Sequence, residues 1–122
     1  MANELTLTAS LAFAKGNVAS TSRSASNATV TVSGTGYAAV VQNVGTSEEQ
    51  LDFGAVATPG YALIKNLDAT NYVEIRAATG VADLVKIPAG KSCLFPFAAD
   101  CTAPFAIANS SACDIEMLLI SA

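Results

Sequence analysis

An all-β fold is what this chain predicts: an antiparallel β-sandwich, jelly-roll-like, of eight to ten short strands, with a small barrel as the alternative closure of the same pattern. Apolar residues recur with a period of two along nearly the whole sequence. Turn-forming residues interrupt that alternation at intervals of roughly ten residues. No stretch carries the spacing of an amphipathic helix. The 122 residues make one ordinary domain, able to bury roughly two-thirds of its unfolded surface without staples. The expectation is a single sandwich over 1–122, with 1–14 forming a long N-terminal strand free to pair between subunits.

The elements follow in order. In ELTLTASLAF (4–13), Leu5, Leu7, Ala9, Leu11 and Phe13 share one face, and Thr6, Thr8, Ser10 and Ala12 the other. That is the signature of a half-buried strand. Residues 15–36 are rich in Ser, Thr, Asn and Gly, yet Thr29, Thr31 and Ser33 alternate with Ala28, Val30 and Val32, so the second half is a strand. Residues 18–24 read as a polar edge strand, or else a loop. YAAVVQNVG (37–45), LDFGAV (51–56), 61–66, 72–77, ADLVKI (82–87), KSCLFPF (91–97), PFAIANS (104–110) and DIEMLLIS (114–121) complete the set. Thr58-Pro59-Gly60 and Pro88-Ala89-Gly90 are breakers. Pro96 requires an edge position or a bulge. In the last strand Ile115, Met117 and Leu119 form one face and Asp114 and Glu116 the other.

Composition narrows the function. Hydrophobic residues make up 52% and charged residues 13%, where about a quarter charged is usual. Either much of the surface is covered by partners, or the outer face is rich in hydroxyls. The net charge is −4, and Lys15, Arg23, Lys65, Arg76, Lys86 and Lys91 are scattered. Nucleic acid and anionic membranes are not expected as partners, since both need clustered cations. No apolar run approaches the length of about 20 residues that spans a bilayer, and MANELTLTAS lacks a signal core, so assembly in a cytosol is expected. Histidine is absent, which removes the Ser–His and Cys–His pairs and the imidazole base and metal ligand. Cys93, Cys101 and Cys113 have neither zinc nor CxxC spacing. Three buried thiols are expected, with a Cys93–Cys101 pair as the alternative.

Four local features invite chemistry. Asn66, Asp68, Thr70 and Asn71 gather side-chain oxygens as a calcium loop does, but hold a single acid. A hairpin corner in which Asn and Asp bond their own backbone is expected instead. Ser47, Glu48 and Glu49 form an acidic patch, read as a solvated loop with room for one helical turn. Gly34-Thr-Gly36 lacks the third glycine of a dinucleotide loop and reads as a tight turn or bulge. Tyr37, Tyr61 and Tyr72 are expected in the core or in cross-strand pairs. Tyr61 or Tyr72 beside the 66–71 loop would be the site if the chain were a carbohydrate-binding module. No catalytic, cofactor-binding or metal residue is assigned, and no enzyme activity is expected.

The segments VQNVGTSEEQLDFGAVATPGYALIKNLDATNYVEI (41–75), VKIPAGKSCLFPF (85–97) and CDIEMLLIS (113–121) resemble small structural proteins of tailed bacteriophages. The resemblance implies a β-sandwich attached in many copies to a capsid or tail. It thereby implies a virion location after assembly in the host cytoplasm, with a major capsid or tail protein as partner. A capsid decoration or cement protein is the foremost expectation, and a tail, neck or head-fibre base component the alternative. Low charge points independently to a homo-oligomer; a trimer is expected by analogy with viral sandwich modules.

Overall fold

A computed structural model describes residues 4–98, 100–101 and 103–121, apart from the side chains of residue 18 and residues 25–28. Residues 1–3 of the expected N-terminal strand and the side chain of Ala28 lie outside that description. The chain is all-β and antiparallel, and falls into two compact units, Met1–Ser33 and Gly34–Ala122.

The first unit is a hairpin of β1 (Leu5–Lys15) and β2 (Val18–Val30). Lys15 pairs with Val18 across Gly16 and Asn17, and Gly16 takes a left-handed φ of +50°. A two-residue hairpin turn requires that conformation at its first position, which glycine reaches without steric cost. The Ser/Thr-rich segment 18–24 is thus a strand. The expected burial of β1 is not found: Leu11 is 78% and Phe13 49% exposed. The period-two pattern correctly specified a strand with one apolar face, and Leu11 and Phe13 on that face are exposed.

The second unit is the sandwich, and its eight strands are β3 (Tyr37–Val44), β4 (Glu49–Gln50), β5 (Pro59–Asn66), β6 (Val73–Arg76), β7 (Asp83–Ile87), β8 (Ser92–Pro96), β9 (Phe105–Ala108) and β10 (Cys113–Ser121). They form two four-stranded sheets, ordered β3-β10-β5-β8 and β4-β9-β6-β7. The chain changes sheet at every connection but β6 to β7, which is the jelly-roll wrap of two Greek keys. The strands of the sandwich all belong to the second unit, after residue 33, and the expected N-terminal strand belongs to the first. β8 is an outermost strand, and Pro96 ends it, where a missing N–H costs no ladder bond.

Alternation explains the core. In β10 Cys113, Ile115, Met117 and Leu119 are buried, and the facing positions of β5 contribute Ala62 and Ile64. From the second sheet come Val73, Ile75, Ile87, Ala106 and Ala108. Burying a side chain such as Ile64 contributes about 1.5–3 kcal/mol, so these alternating positions dominate the stability of the sandwich.

Three local expectations fail for identifiable reasons. LDFGAV (51–56) is not a strand, because side chains take up its backbone groups. The Asp52 N–H donates to Gln42 Oε1 (2.9 Å), Gly54 N–H donates to Asp52 Oδ1 (3.0 Å), and Gly54 turns with φ +52°. The 45–50 segment contains no helical turn; Glu49 and Gln50 instead pair with Ala106 and Phe105 as β4. Gly36 sits in neither a positive-φ turn nor a bulge. A Cβ there would lie 2.6 Å from the Ala55 carbonyl oxygen, so close backbone approach is what requires glycine.

Candidate functional site

The oxygen-rich loop 66–71 closes in on itself. Asn66, at the inner end of β5, is completely buried. Its Nδ2 donates to the Asn71 carbonyl (2.8 Å) and the Ile87 carbonyl (3.0 Å), while its Oδ1 accepts the Asp68 N–H (2.9 Å). Asp68 Oδ2 accepts the backbone N–H groups of Asn71 (2.6 Å) and Thr70 (2.9 Å) and their side-chain donors at 3.3 Å. Those two backbone N–H groups, Asn71 first, hold the Asp68 carboxyl below the usual carboxylate range. The loop is not a hairpin corner as expected: β5 and β6 lie in different sheets, so this is the crossing from one layer to the other. Its Asn and Asp do bond local backbone, as an Asx-rich turn should.

The acidic patch is likewise tied down and is not a free solvated loop. Glu48 accepts from Arg76 Nη1 (2.6 Å) and from the Gly80 N–H (2.8 Å). A hydrogen bond from the Thr79 side chain and then the Arg76 contact hold its carboxyl low. Arg76 also meets Glu74 (2.8 Å) and Asp83 (3.1 Å), and Lys86 reaches Glu74 at 3.4 Å. Every arm of this guanidinium thus ends on a carboxylate on the outer side of β6 and β7. Glu49 accepts from Gln42 Nε2 (3.0 Å) and the Gly45 N–H (3.2 Å), bracing the short strand β4. Sequence reasoning missed the role of Glu48 because its partners Arg76 and Gly80 lie 28 and 32 residues away along the chain, whereas Glu49 is held by the nearby Gln42 and Gly45.

The cysteines are free thiols; Cys101 and Cys113 are buried and Cys93 half-buried. Burial pushes all three up from the ordinary thiol value, and Asp100 adds to this for Cys101. Such thiols make poor nucleophiles. Cys93 and Cys101 line an apolar cleft of about 620 Å³ between the β7 and β8 edges, with Leu84, Phe95 and Phe97. Among the described residues no group of three His, Cys, Asp or Glu side chains is placed to hold a metal ion.

Tyr72 lies beneath the Lys86 ammonium, 4.9 Å from the ring centroid. The other two tyrosines stand on the outside of the β3-β10-β5-β8 sheet, where Tyr37 and Tyr61 flank Ile120 from either side. The next row on this face is Ala39, Leu118, Leu63 and Leu94, and the one after it is Val41, Glu116, Lys65 and Ser92. Tyr37 is 66%, Val41 63%, Leu63 47% and Leu118 40% exposed. A shallow depression of about 440 Å³ runs over these rows. The outer face of this sheet therefore carries apolar rows as the inner face does, bounded by the row that holds Glu116 and Lys65. Contiguous apolar patches of this kind mark interaction surfaces.

Comparison with protein-family models, with curated proteins and with solved structures finds no match to this chain.

Proposed function

We propose that this chain is a structural component of a tailed-phage particle, foremost a capsid decoration or cement protein that works by non-covalent packing. The observation that carries the reading is the pair of unburied apolar faces: Leu11 and Phe13 on the β1–β2 hairpin, and Leu63, Leu118 and Val41 on the outer sheet. A protein that acts by covering and being covered needs such faces. The polar clusters, by contrast, spend their hydrogen bonds on the fold itself. The sequence resemblance over 41–75, 85–97 and 113–121 supports the virion setting. The mechanism is additive burial: standard interfaces bury about 1,600 Å² in total, and many copies on one shell multiply the effect. The partners are further copies of the chain, as a closed homo-oligomer with three-fold symmetry, and a major capsid subunit.

Deleting the gene for this chain tests the reading. Particles lacking the protein are expected to lose resistance to heat and osmotic shock; unchanged resistance would remove the cement role. The same packing chemistry serves a tail, neck or head-fibre base, and copy number separates the two locations. Hundreds of copies per particle favour the shell, and a dozen or fewer the tail. A glycan-binding role is disfavoured because Tyr72 is covered by Lys86 and the 66–71 loop oxygens are engaged internally.

A further inference from the structure

The hairpin and the outer sheet face pose the same physical problem from opposite sides. A two-stranded hairpin is marginal in water unless its apolar face is covered. Along β1, Leu5, Leu7, Leu11 and Phe13 line one face, and Arg23 stands opposite Leu11 on that face. A sheet that is apolar on both sides also needs a cover on its outer side. We propose that the apolar face of the β1–β2 hairpin of one copy packs onto the outer face of the β3-β10-β5-β8 sheet of a second copy, in a closed exchange where each copy gives one hairpin and receives one.

Three features select a second copy as the occupant. First, the shapes match: both surfaces are pleated sheets whose side chains recur at two-residue intervals, and such faces interdigitate about 10 Å apart. Second, the charges are complementary. The hairpin bears Lys15 and Arg23, while the outer side of β10 carries Asp114 and Glu116 against Lys65, which stands opposite Glu116 on β5, so acids outnumber bases two to one at these positions. No ion pair among the described residues includes Arg23 or Glu116. Opposite potentials of this kind steer association and fix register. Third, the area suits a closed exchange. An eleven-residue, two-stranded face measures about 37 by 10 Å, or roughly 370 Å². One seat alone falls short of the ~800 Å² per partner of a stable pairwise interface, so the assembly has to close: in a ring each copy is held by two seats of roughly 370 Å², one given and one received.

This inference deepens the assembly reading by naming its interface, and it is read out on the purified full chain whether or not the chain is found on a particle. The two therefore fail separately. A benzophenone photo-crosslinker replaces Phe13 in protein mixed from ordinary and heavy-nitrogen copies. Irradiation and mass spectrometry are expected to give mixed-isotope crosslinks from position 13 to peptides holding Val41, Leu63 or Leu118. Crosslinks confined to single chains, crosslinks to other surfaces, or an absence of crosslinked dimers would each overturn the exchange. Independently, Leu63→Glu on the exposed outer face is expected to raise the dissociation constant of the oligomer by roughly tenfold or more. Leu84→Glu, equally exposed but on β7, is expected to leave it unchanged. An oligomer indifferent to Leu63→Glu would contradict the proposal.

Discussion

Leu63 of β5 and Leu118 of β10 stand directly opposite each other on the outside of their sheet, 47% and 40% exposed. One residue along, Ile64 faces Met117 on the inside, and both are buried. The same two strands thus hold an inner pair that makes the core and an outer pair that is exposed. Substituting the outer pair by Thr, which suits a strand, is expected to change folding stability by no more than about 0.5 kcal/mol. Ile64→Ala is expected to cost about 2–5 kcal/mol. Urea unfolding of the dissociated chain, at protein concentrations below the dissociation constant of the oligomer, compares the variants, and a large loss from the outer pair there would mean that it is not a surface.

Asn66 is the keystone of the crossing between the sheets. Asn66→Ala leaves the Asn71 and Ile87 carbonyls and the Asp68 N–H without their partner. With the site fully buried, the expected loss is about 2–3 kcal/mol of unfolding free energy by chemical denaturation. A loss below about 0.5 kcal/mol would show that the loop is held by other contacts.

Asp68 offers its carboxylate to backbone N–H groups inside the loop, not to an ion. Asp68→Ala is expected to lower the melting temperature, and added calcium is expected to leave the wild-type melting temperature where it is. A rise with calcium would reassign the loop as a cation site.

Stability should fall at both ends of the pH range, for opposite reasons. Asp68 and Glu48 have depressed carboxyl pKa values in the folded chain. Their contribution is present above the ordinary carboxylate range and is lost as pH falls through the depressed folded values. The three thiols are shifted up by burial. Their contribution is present below the ordinary thiol value of 9.0 and is lost as pH rises toward the folded values, because unfolded thiols ionise first. Replacing Asp68 by Asn should flatten the acid limb, and replacing Cys113 by Ala should flatten the alkaline one. Melting temperature against pH reads both, and unchanged limbs would contradict the assignments.

Strands were legible because period-two alternation is a local property: Ile115, Met117 and Leu119 announce an inward face with no knowledge of their neighbours. Pairing was not legible, since alternation does not say which strands share a sheet. The 66–71 loop therefore read as a hairpin corner, although β5 and β6 belong to different layers. Asn66 read as a loop residue because a polar side chain on a core face depends on carbonyls of residues 71 and 87. Glu48 read as solvated for the same reason, its partner Arg76 being 28 residues away. The hairpin shows the remaining limit: an apolar face on β1 is visible in the sequence, but what covers it is not encoded in local spacing.

Further copies of the chain are expected to cover the exposed apolar faces. Native mass spectrometry of the full-length protein at micromolar concentration, joined to sedimentation velocity, reads this directly. A single closed homo-oligomer, a multiple of the 12.3 kDa chain, is the predicted result. A stable monomer with no tendency to associate would contradict it.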